Sequence, residues 1–211
     1  MMQVLRTLLI LTLFLVSPFA GAEYRIEWSN PYTNVIPDIQ DICISTDQTG
    51  EYFMAFADTS SSTLENLVYD GNPHFHTVDD LGSIYWTKSA LTECGSLQLI
   101  SYSDLMTQGI SMSYFHDGSW NYNFTEPETD RITGIRNACN GADTFVVYTI
   151  QNSSNDSYLK LMHNCSGPYM TQTVAQIGSS YANATFDCEV APNGSLYMIY
   201  WDQDTSKLRF T

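Results

Sequence analysis

The segment Leu196-Tyr-Met-Ile-Tyr-Trp-Asp202 is a short aromatic and β-branched run that ends in a polar residue, and its pattern recurs along the chain. The three similar segments before it are Tyr52–Asp58, Gln98–Asp104 and Phe145–Gln151. Their last residues lie 46, 47 and 51 positions apart. Internal similarity at a period of about 20–50 residues is typical of solenoids and propellers, so this repeat indicates the fold.

Each repeat predicts four short antiparallel strands. A short strand containing a cysteine precedes the aromatic run, and a polar loop and a further run follow it. These further runs are Leu64–Asp70, Ile110–Asp117, Tyr158–Asn164 and Lys207–Thr211. A fourth strand follows in the first three units, at His74–Asp79, Trp120–Thr125 and Tyr169–Ala175. A lone four-stranded sheet cannot bury both faces, whereas radially stacked sheets can, so we predict an all-β protein, a small β-propeller with four blades of four antiparallel strands.

The two ends of the chain suggest how such a ring closes. The predicted repeats span approximately residues 38–79, 84–125, 132–175 and 183–211, within a single propeller domain of residues 23–211. The last unit stops in its third strand, and Glu23–Asn30 is an alternating strand that fits as the missing fourth one. This N-terminal strand is therefore expected to close the ring. Two alternatives remain open: a ring of about five to seven blades whose gene continues further, or donation of the strand to a neighbouring molecule, which links subunits into a fibre.

Residues 1–22 have the features of a secretory signal peptide. Arg6 supplies a positive charge, and Leu8–Val16 is apolar but too short for a stable membrane anchor. Ala20-Gly21-Ala22 provides the small residues of a cleavage site. The mature chain is expected to begin at Glu23, to be secreted into an oxidising compartment and not to insert into a membrane. An uncleaved N-terminal anchor is the alternative.

The charge of the chain restricts its partners. The 211 residues include 8 Lys and Arg against 23 Asp and Glu, which gives a formal net charge of -15. Nucleic acids and anionic membrane surfaces are bound by clustered Lys and Arg, so neither is a predicted partner. The expected partners are other protein subunits or surface glycans.

Two stretches resemble the repeat of sialidase-like propellers of the Asp-box type. Asp187–Asp202 places an Asn-Gly hairpin before the aromatic strand, and Tyr114–Trp120 contains an Asp-Gly-x-Trp turn after the third strand, as in that family. Ser45–Gly50 approximates the Asp box but is one residue too long. The resemblance implies a propeller fold, and because it rests on structural residues it does not imply glycosidase activity.

The five cysteines are expected to form disulfides in an exported protein. By their spacing to the aromatic strands, Cys43 groups with Cys188, and Cys94 groups with Cys139. A Cys43–Cys188 bond would join the first and last blades of a four-bladed ring, and Cys94–Cys139 is the second predicted pair. Cys165 is then left unpaired, pairs with Cys139 instead, or bridges subunits. Buried free thiols are the alternative for all five.

Six sequons and three tryptophans are the candidate sites for carbohydrate. The sequons are at Asn123, Asn152, Asn155, Asn164, Asn183 and Asn193. Each predicts an attached glycan if the source is eukaryotic. Aromatic side chains that recur at blade positions could instead stack on a bound sugar, and the candidates are Trp86, Trp120 and Trp201. Packing between the blades is the alternative role of these tryptophans.

No catalytic constellation is predicted. The resemblance implies that an active sialidase would need three clustered Arg, a Tyr nucleophile with a Glu partner, and an acid/base Asp. The arginines of the mature chain are Arg25, Arg131, Arg136 and Arg209. Their positions assemble no such cluster, so we expect no catalytic residues.

No metal site and no cofactor are predicted either. His74 and His76 could form half of a metal site, and His116 is the nearest candidate for a third ligand. Exposed histidines on an outer strand are the alternative. Weak calcium sites among the acidic loops are the remaining possibility for a bound ion.

The function predicted from these features is that of a secreted, non-catalytic glycoprotein module. It would serve as a structural or interaction unit at the cell surface or in an extracellular assembly such as a fibre. A carbohydrate-binding propeller lectin is the alternative hypothesis, and a divergent sialidase-like glycosidase is the second alternative.

Overall fold

Fifteen β-strands in four antiparallel sheets account for most of the residues that the structure describes. The structure, a computed structural model, describes residues 39–46, 52–58, 61–69, 73–81, 88–94, 97–104, 109–116, 119–141, 143–164, 168–179 and 185–211. All of them belong to one unit of the chain, Ile36–Thr211. Within these ranges no helix is long and apolar enough to cross a membrane.

Each sheet is a meander in which strands adjacent in sequence pair with each other. Sheet 1 consists of β1 (Ile39–Thr46), β2 (Tyr52–Asp58), β3 (Thr63–Tyr69) and β4 (Pro73–Asp80). Sheet 2 consists of β5 (Ser89–Cys94), β6 (Leu97–Asp104), β7 (Gly109–His116) and β8 (Ser119–Pro127). Sheet 3 consists of β9 (Arg131–Asn140), β10 (Asp143–Gln151), β11 (Ser157–His163) and β12 (Met170–Gly178). Sheet 4 consists of β13 (Phe186–Val190), β14 (Leu196–Asp202) and β15 (Lys207–Phe210).

The four sheets stack in sequence order. The first strand of each sheet contacts the first strand of the next, so that β1 meets β5, β5 meets β9 and β9 meets β13. This arrangement confirms the all-β fold of stacked antiparallel sheets that the repeat predicts. The predicted signal peptide at residues 1–22 and the predicted closing strand at residues 23–30 lie outside the described residues and stay predictions.

Three apolar cores lie between consecutive sheets. Sheets 1 and 2 enclose Ala55, Ala57, Leu64, Leu81, Ile100 and Tyr102. The core between sheets 2 and 3 includes Leu99, Ile110, Met112, Val146, Tyr148 and Met162. The core between sheets 3 and 4 includes Phe145, Val147, Leu159, Ile177, Phe186 and Met198. A sheet covered on both faces needs nearly continuous apolar strands, and in β10 every residue from Thr144 to Gln151 is buried.

The predicted closure of a four-bladed ring is not confirmed. Among the described residues, the exposed large apolar side chains are Ile42, Ile44, Tyr52, Phe75, Met170, Tyr197, Ile199, Trp201, Leu208 and Phe210. All of these except Met170 belong to sheets 1 and 4. Closure by contact between the first and last sheets would bury those outer faces against each other, and they remain exposed.

A buried ion pair interrupts the apolar core between sheets 2 and 3. Lys160 Nζ lies 2.5 Å from Glu128 Oε2, and the two side chains are 21% and 7% exposed. The hydroxyl of Tyr148, a fully buried residue, donates to the same oxygen at 3.5 Å. Burial, with the nearby carboxylates of Glu128 and Glu126, raises the pKa of Tyr148, so its phenol remains a hydrogen-bond donor even at a pH where a free tyrosine ionises.

The predicted Cys43–Cys188 disulfide is not formed, because the two thiols are free and face different cores. Cys43 packs in the core of sheets 1 and 2, where its sulfur lies 3.6 Å from Ser89 Oγ. Cys188 packs in the core of sheets 3 and 4. The sequence spacing gives the position of each cysteine along its strand, but not the core that its side chain enters.

Cys139 is disulfide-bonded. The two partners predicted for it are Cys94 and Cys165. The side chain of Cys94 and the whole of Cys165 lie outside the described residues, so the pairing stays a prediction.

We expect the thiols of Cys43 and Cys188 to resist alkylation in the folded protein. In denaturant, with no reducing agent added, both thiols should react. Burial raises the pKa of Cys43 to about 11 and that of Cys188 to about 12, and the thiolate is the reactive form. Native labelling should therefore rise only at strongly alkaline pH. Peptide mass spectrometry after labelling measures both states. A disulfide between the two residues would instead leave both peptides unmodified even in denaturant.

Candidate functional site

The outer face of sheet 4 is an exposed strip of aromatic and aliphatic side chains. Successive side chains of β14 point to opposite faces of the sheet. Met198 is buried against sheet 3, whereas Tyr197, Ile199 and Trp201 are 40%, 38% and 40% exposed. Contiguous exposed apolar surface of this kind marks binding sites in soluble proteins.

Strand β15 extends the strip and helps to form a cleft. Phe210 lies opposite Ile199, and its ring stacks on Tyr197 with centroids 5.6 Å apart and planes 20° from parallel. The cleft has a volume of about 230 Å³. Its lining residues are Asp187, Cys188, Glu189, Tyr197, Met198, Ile199 and Phe210. Pockets that bury drug-sized ligands have volumes of about 300–1,000 Å³. Because the cleft is smaller than these pockets, it suits a ligand the size of one sugar ring.

Two carboxylates line this cleft beside the aromatic pair. Asp187 and Glu189 are exposed residues of β13 and, being two positions apart, share one face of the strand. Asp187 Oδ1 accepts the backbone N–H of Cys188 at 3.0 Å and lies 3.9 Å from Nε of Arg136. Exposed ion pairs at such a distance are weak, so the Asp187 carboxylate can still accept a hydrogen bond from a ligand.

The cleft offers two kinds of contact that suit a polyhydroxylated ring. The faces of the Tyr197 and Phe210 rings carry partial negative charge, which attracts the C–H groups on the apolar side of a sugar. The carboxylates of Asp187 and Glu189 can accept hydrogen bonds from hydroxyl groups, and charge-assisted bonds are roughly twice as strong as neutral ones. An apolar wall with a few convergent polar groups is typical of small-molecule sites.

The three tryptophans predicted to stack on sugars have different surroundings. Trp201 is exposed on the outer face of sheet 4, next to the cleft. Trp120 is partly buried, packs against the core of sheets 1 and 2 and lies 5.4 Å from the Phe115 ring. Trp86 lies outside the described residues. The structure therefore places Trp201 at the candidate site and Trp120 in interblade packing.

The described sequons fall into two groups. Asn155 and Asn193 are exposed, as a glycan acceptor must be. Asn152 and Asn164 are partly buried, and the side-chain oxygen of Asn164 accepts the backbone N–H of Thr144 at 2.7 Å. The side chain of Asn123 and the whole of Asn183 lie outside the described residues. Attached glycans stay a prediction at all six positions.

Among the described residues, Tyr148 hydrogen-bonds to Glu128 and is a counterpart of the Tyr and Glu pair that a sialidase-type mechanism requires. Tyr148 is fully buried and its pKa is raised, whereas a nucleophile must be accessible and activated. Arg131 and Arg136 belong to β9, while Arg209 belongs to β15 and lies 3.1 Å from an acidic partner, Asp202. The pair between sheets 2 and 3 is therefore a packing feature.

The histidines and acidic groups considered as ion sites make structural contacts. His76 packs edge-on against Phe115 with ring centroids 5.2 Å apart, and the side chain of His116 lies outside the described residues. Hydrogen bonds from Thr205 and the neighbouring Arg209 hold the pKa of Asp202 below its usual range. Within the described part of the chain, no group of three or more His, Cys, Asp or Glu could hold a metal ion.

Sequence reasoning missed the residues that form the cleft: Asp187, Glu189, Tyr197 and Phe210. One signal could have found them. The alternation in Leu196–Asp202 puts Tyr197 and Trp201 on one face, and the last strand adds Phe210 to it. Among the described residues, no sheet covers that face.

Comparisons with known proteins identify the fold. No protein-family model matches the chain, and no curated protein matches it in sequence. A lectin of Aleuria aurantia, described as a six-bladed β-propeller with a novel fucose recognition mode, matches with a TM-score of 0.55 and 13% identity over 81% of this chain and 58% of the lectin. AofleA from Arthrobotrys oligospora matches with a TM-score of 0.53 and 10% identity over 80% of this chain and 51% of that protein.

A third match is a subtype N10 neuraminidase-like protein of A/little yellow-shouldered bat/Guatemala/060/2010. Its TM-score is 0.52 and its identity is 12%, over 82% of this chain and 58% of that protein. These similarities confirm the predicted resemblance to sialidase-like propellers as a resemblance of fold. The chain spans between 51% and 58% of the length of these three structures.

Proposed function

We propose that this protein is a non-catalytic carbohydrate-binding module whose ligand site is the cleft of sheet 4. The observation that carries the proposal is the stacked pair of Tyr197 and Phe210 beside the carboxylates of Asp187 and Glu189. A propeller fold shared with a lectin described by its fucose recognition supports the same class of ligand. Secretion, which the N-terminal segment predicts, would expose the cleft to extracellular glycans.

The charge of the site favours neutral sugars over acidic ones. Asp187 and Glu189 both line the cleft, and a cation beside it, Arg136, is paired with Asp187 at 3.9 Å. A sugar carboxylate would meet repulsion from these acids in a chain that already has a net charge of -15. A neutral deoxy sugar such as fucose offers both hydroxyl donors and an apolar side.

A glycan array probed with the full chain tests this proposal. We expect binding to neutral glycans, fucosylated ones included, and weaker or no binding to sialylated forms of the same structures. A panel of fluorogenic glycosides should remain intact, because the role is binding and not hydrolysis. The absence of binding to any neutral glycan, or a preference for sialylated ones, would refute the proposal.

The predicted role as a secreted structural unit is compatible with glycan binding. The disulfide of Cys139 fits an oxidising compartment, where such bonds persist. A binding module of this kind would connect surface glycans with other protein subunits, which are the two partner classes that the sequence predicts.

A further inference from the structure

The outer face of sheet 4 continues beyond the cleft, where Trp201 presents an exposed indole ring. Trp201 is four residues from Tyr197 on β14, so both side chains lie on this face. The register places Leu208 of β15 on one side of Trp201, and on the other side its backbone N–H donates to the carbonyl of Thr185. All four residues are exposed, so the row around Trp201 is an open continuation of the cleft.

We propose that Trp201 and Thr185 form a second sugar-binding position, which we call the Trp201 subsite. The ligand of sheet 4 is then a neutral oligosaccharide of at least two linked rings, with one ring in the cleft and the next on Trp201. This inference rests on the proposed glycan binding and extends it from a single sugar to a class of longer ligands.

The length of β14 between the two aromatic side chains requires more than one ring. A strand rises about 3.4 Å per residue, so the Cα atoms of Tyr197 and Trp201 are roughly 13 Å apart. A single sugar ring is smaller than this distance, and the cleft has a volume of about 230 Å³. A ring held in the cleft against Tyr197 therefore cannot also stack on Trp201, whereas the next ring of an oligosaccharide can.

The groups of the Trp201 subsite suit a sugar ring. The Trp201 side chain is 40% exposed, and among the described residues its indole makes no hydrogen bond and stacks on no other ring. The flat face can pack on the apolar side of a sugar, and the indole N–H can donate to a sugar oxygen. Thr185 is two positions before Asp187 and, like it, exposed, and its hydroxyl can both donate and accept.

The charge around Trp201 favours a neutral ring. The row of Trp201 contains Thr185 and Leu208, which are uncharged. The neighbours of Leu208 on β15 are Lys207 and Arg209, and because side chains alternate along a strand, both belong to the other face of the sheet. A neutral ring on this row therefore desolvates no charge, whereas an anionic ring would meet repulsion from the two carboxylates of the cleft.

Isothermal titration with sugars of increasing length tests the inference. Two neutral series serve as probes: fucose, fucosylgalactose and fucosyllactose, and glucose, cellobiose and cellotriose. In at least one series we expect the dissociation constant to fall by about 10-fold from the monosaccharide to the disaccharide, because one more ring is then stacked. Equal affinities for all lengths would overturn the inference and leave single-sugar binding in the cleft intact. Absence of binding to both series would also overturn it, and the glycan array then decides separately whether the cleft binds other neutral sugars.

Substitutions of Trp201 should change the dependence on ligand length. For Trp201→Ala we expect the gain of about 10-fold to disappear, with monosaccharide affinity unchanged within about 2-fold. Trp201→Tyr keeps a flat aromatic ring and should retain most of the gain. Monosaccharide binding requires a folded cleft, so it reports the folding of each variant. If Trp201→Ala does not fold, Trp201→Gln replaces it, because it keeps a long side chain without a ring. A Trp201→Ala or Trp201→Gln chain that binds disaccharide as the original chain does would overturn the assignment.

Two variants of β15 provide matched controls. Leu208→Ala removes an exposed side chain from the row of Trp201 that has no aromatic face, and it should leave the gain with length unchanged. If Leu208→Ala abolishes the gain as completely as Trp201→Ala, general apolar surface is responsible and the assignment of Trp201 is wrong. Phe210→Ala removes a wall of the cleft and should instead weaken the binding of short and long sugars alike.

Discussion

Replacement of Lys160 by Met is expected to lower the free energy of unfolding by about 3–5 kcal/mol. The ammonium group lies 2.5 Å from Glu128 Oε2, and the Glu128 side chain is only 7% exposed. Without Lys160, the Glu128 carboxylate would remain buried without a cation. It would then accept hydrogen bonds from the Tyr148 hydroxyl and the backbone N–H of Asp130, and these would offset only part of the cost of burying its charge. Urea denaturation followed by tryptophan fluorescence measures the change.

The double variant Lys160→Met with Glu128→Leu provides the control. Replacing both members of a buried ion pair by apolar residues is often close to neutral, so the double variant should recover most of the lost stability. The recovery is the diagnostic result, because simple loss of packing around Lys160 would not be reversed by a second substitution. A loss below about 1 kcal/mol in the single variant would show that water reaches Glu128 and would contradict the burial argument.

Phe210→Ala is expected to weaken sugar binding by about 10–100-fold. The substitution removes the ring that stacks on Tyr197 and forms one wall of the cleft. Phe210 is 68% exposed, so the fold should be unaffected. Isothermal titration with a sugar identified on the glycan array measures the affinity.

Leu208→Ala is the matched control for this experiment. Leu208 is 62% exposed on the same face and strand, but it does not line the cleft. We expect Leu208→Ala to bind sugar as the original chain does. If both variants bind normally, the ligand site lies elsewhere and the assignment of the cleft is wrong.

Local pattern was sufficient to predict the strands. The run Leu196–Asp202 was predicted as a strand and is β14 with the same bounds. The turn before it was also predicted, because Asn-Gly favours a hairpin, and Gly194 adopts a φ of +84° that other residues rarely reach. Both features depend on residues close in sequence, and that is why the chain alone reveals them.

Contacts between sheets were not predictable in the same way. The ion pair of Lys160 and Glu128 joins residues 32 positions apart, and it depends on how sheet 3 packs on sheet 2. The core that Cys43 or Cys188 enters depends on strand register and on the side of the sheet that each neighbour covers. Ring closure depends on the angle between neighbouring sheets. That angle is set by the volumes of the many side chains packed at each interface.

The candidate site was only partly predictable for the same reason. Trp201 could be predicted as a sugar-stacking residue because it is an aromatic residue within the run that recurs in each repeat. Phe210, Asp187 and Glu189 gain their role from an uncovered face, and in sheets 2 and 3 the corresponding faces are buried. A residue pattern that packs against a neighbouring sheet in one repeat is thus exposed in another.

In the part of the chain that the structure describes, sheet 4 has three strands and one covering neighbour, and this has a consequence for the motions of the protein. In stacked repeats each unit is stabilised mainly by those next to it, so a unit covered on one face opens more easily than a unit covered on both. Amide protons of β14 and β15 should accordingly exchange with solvent before those of β10. A sugar bound in the cleft would hold sheet 4 in its folded form, and the amide protons of β14 and β15 would then exchange more slowly.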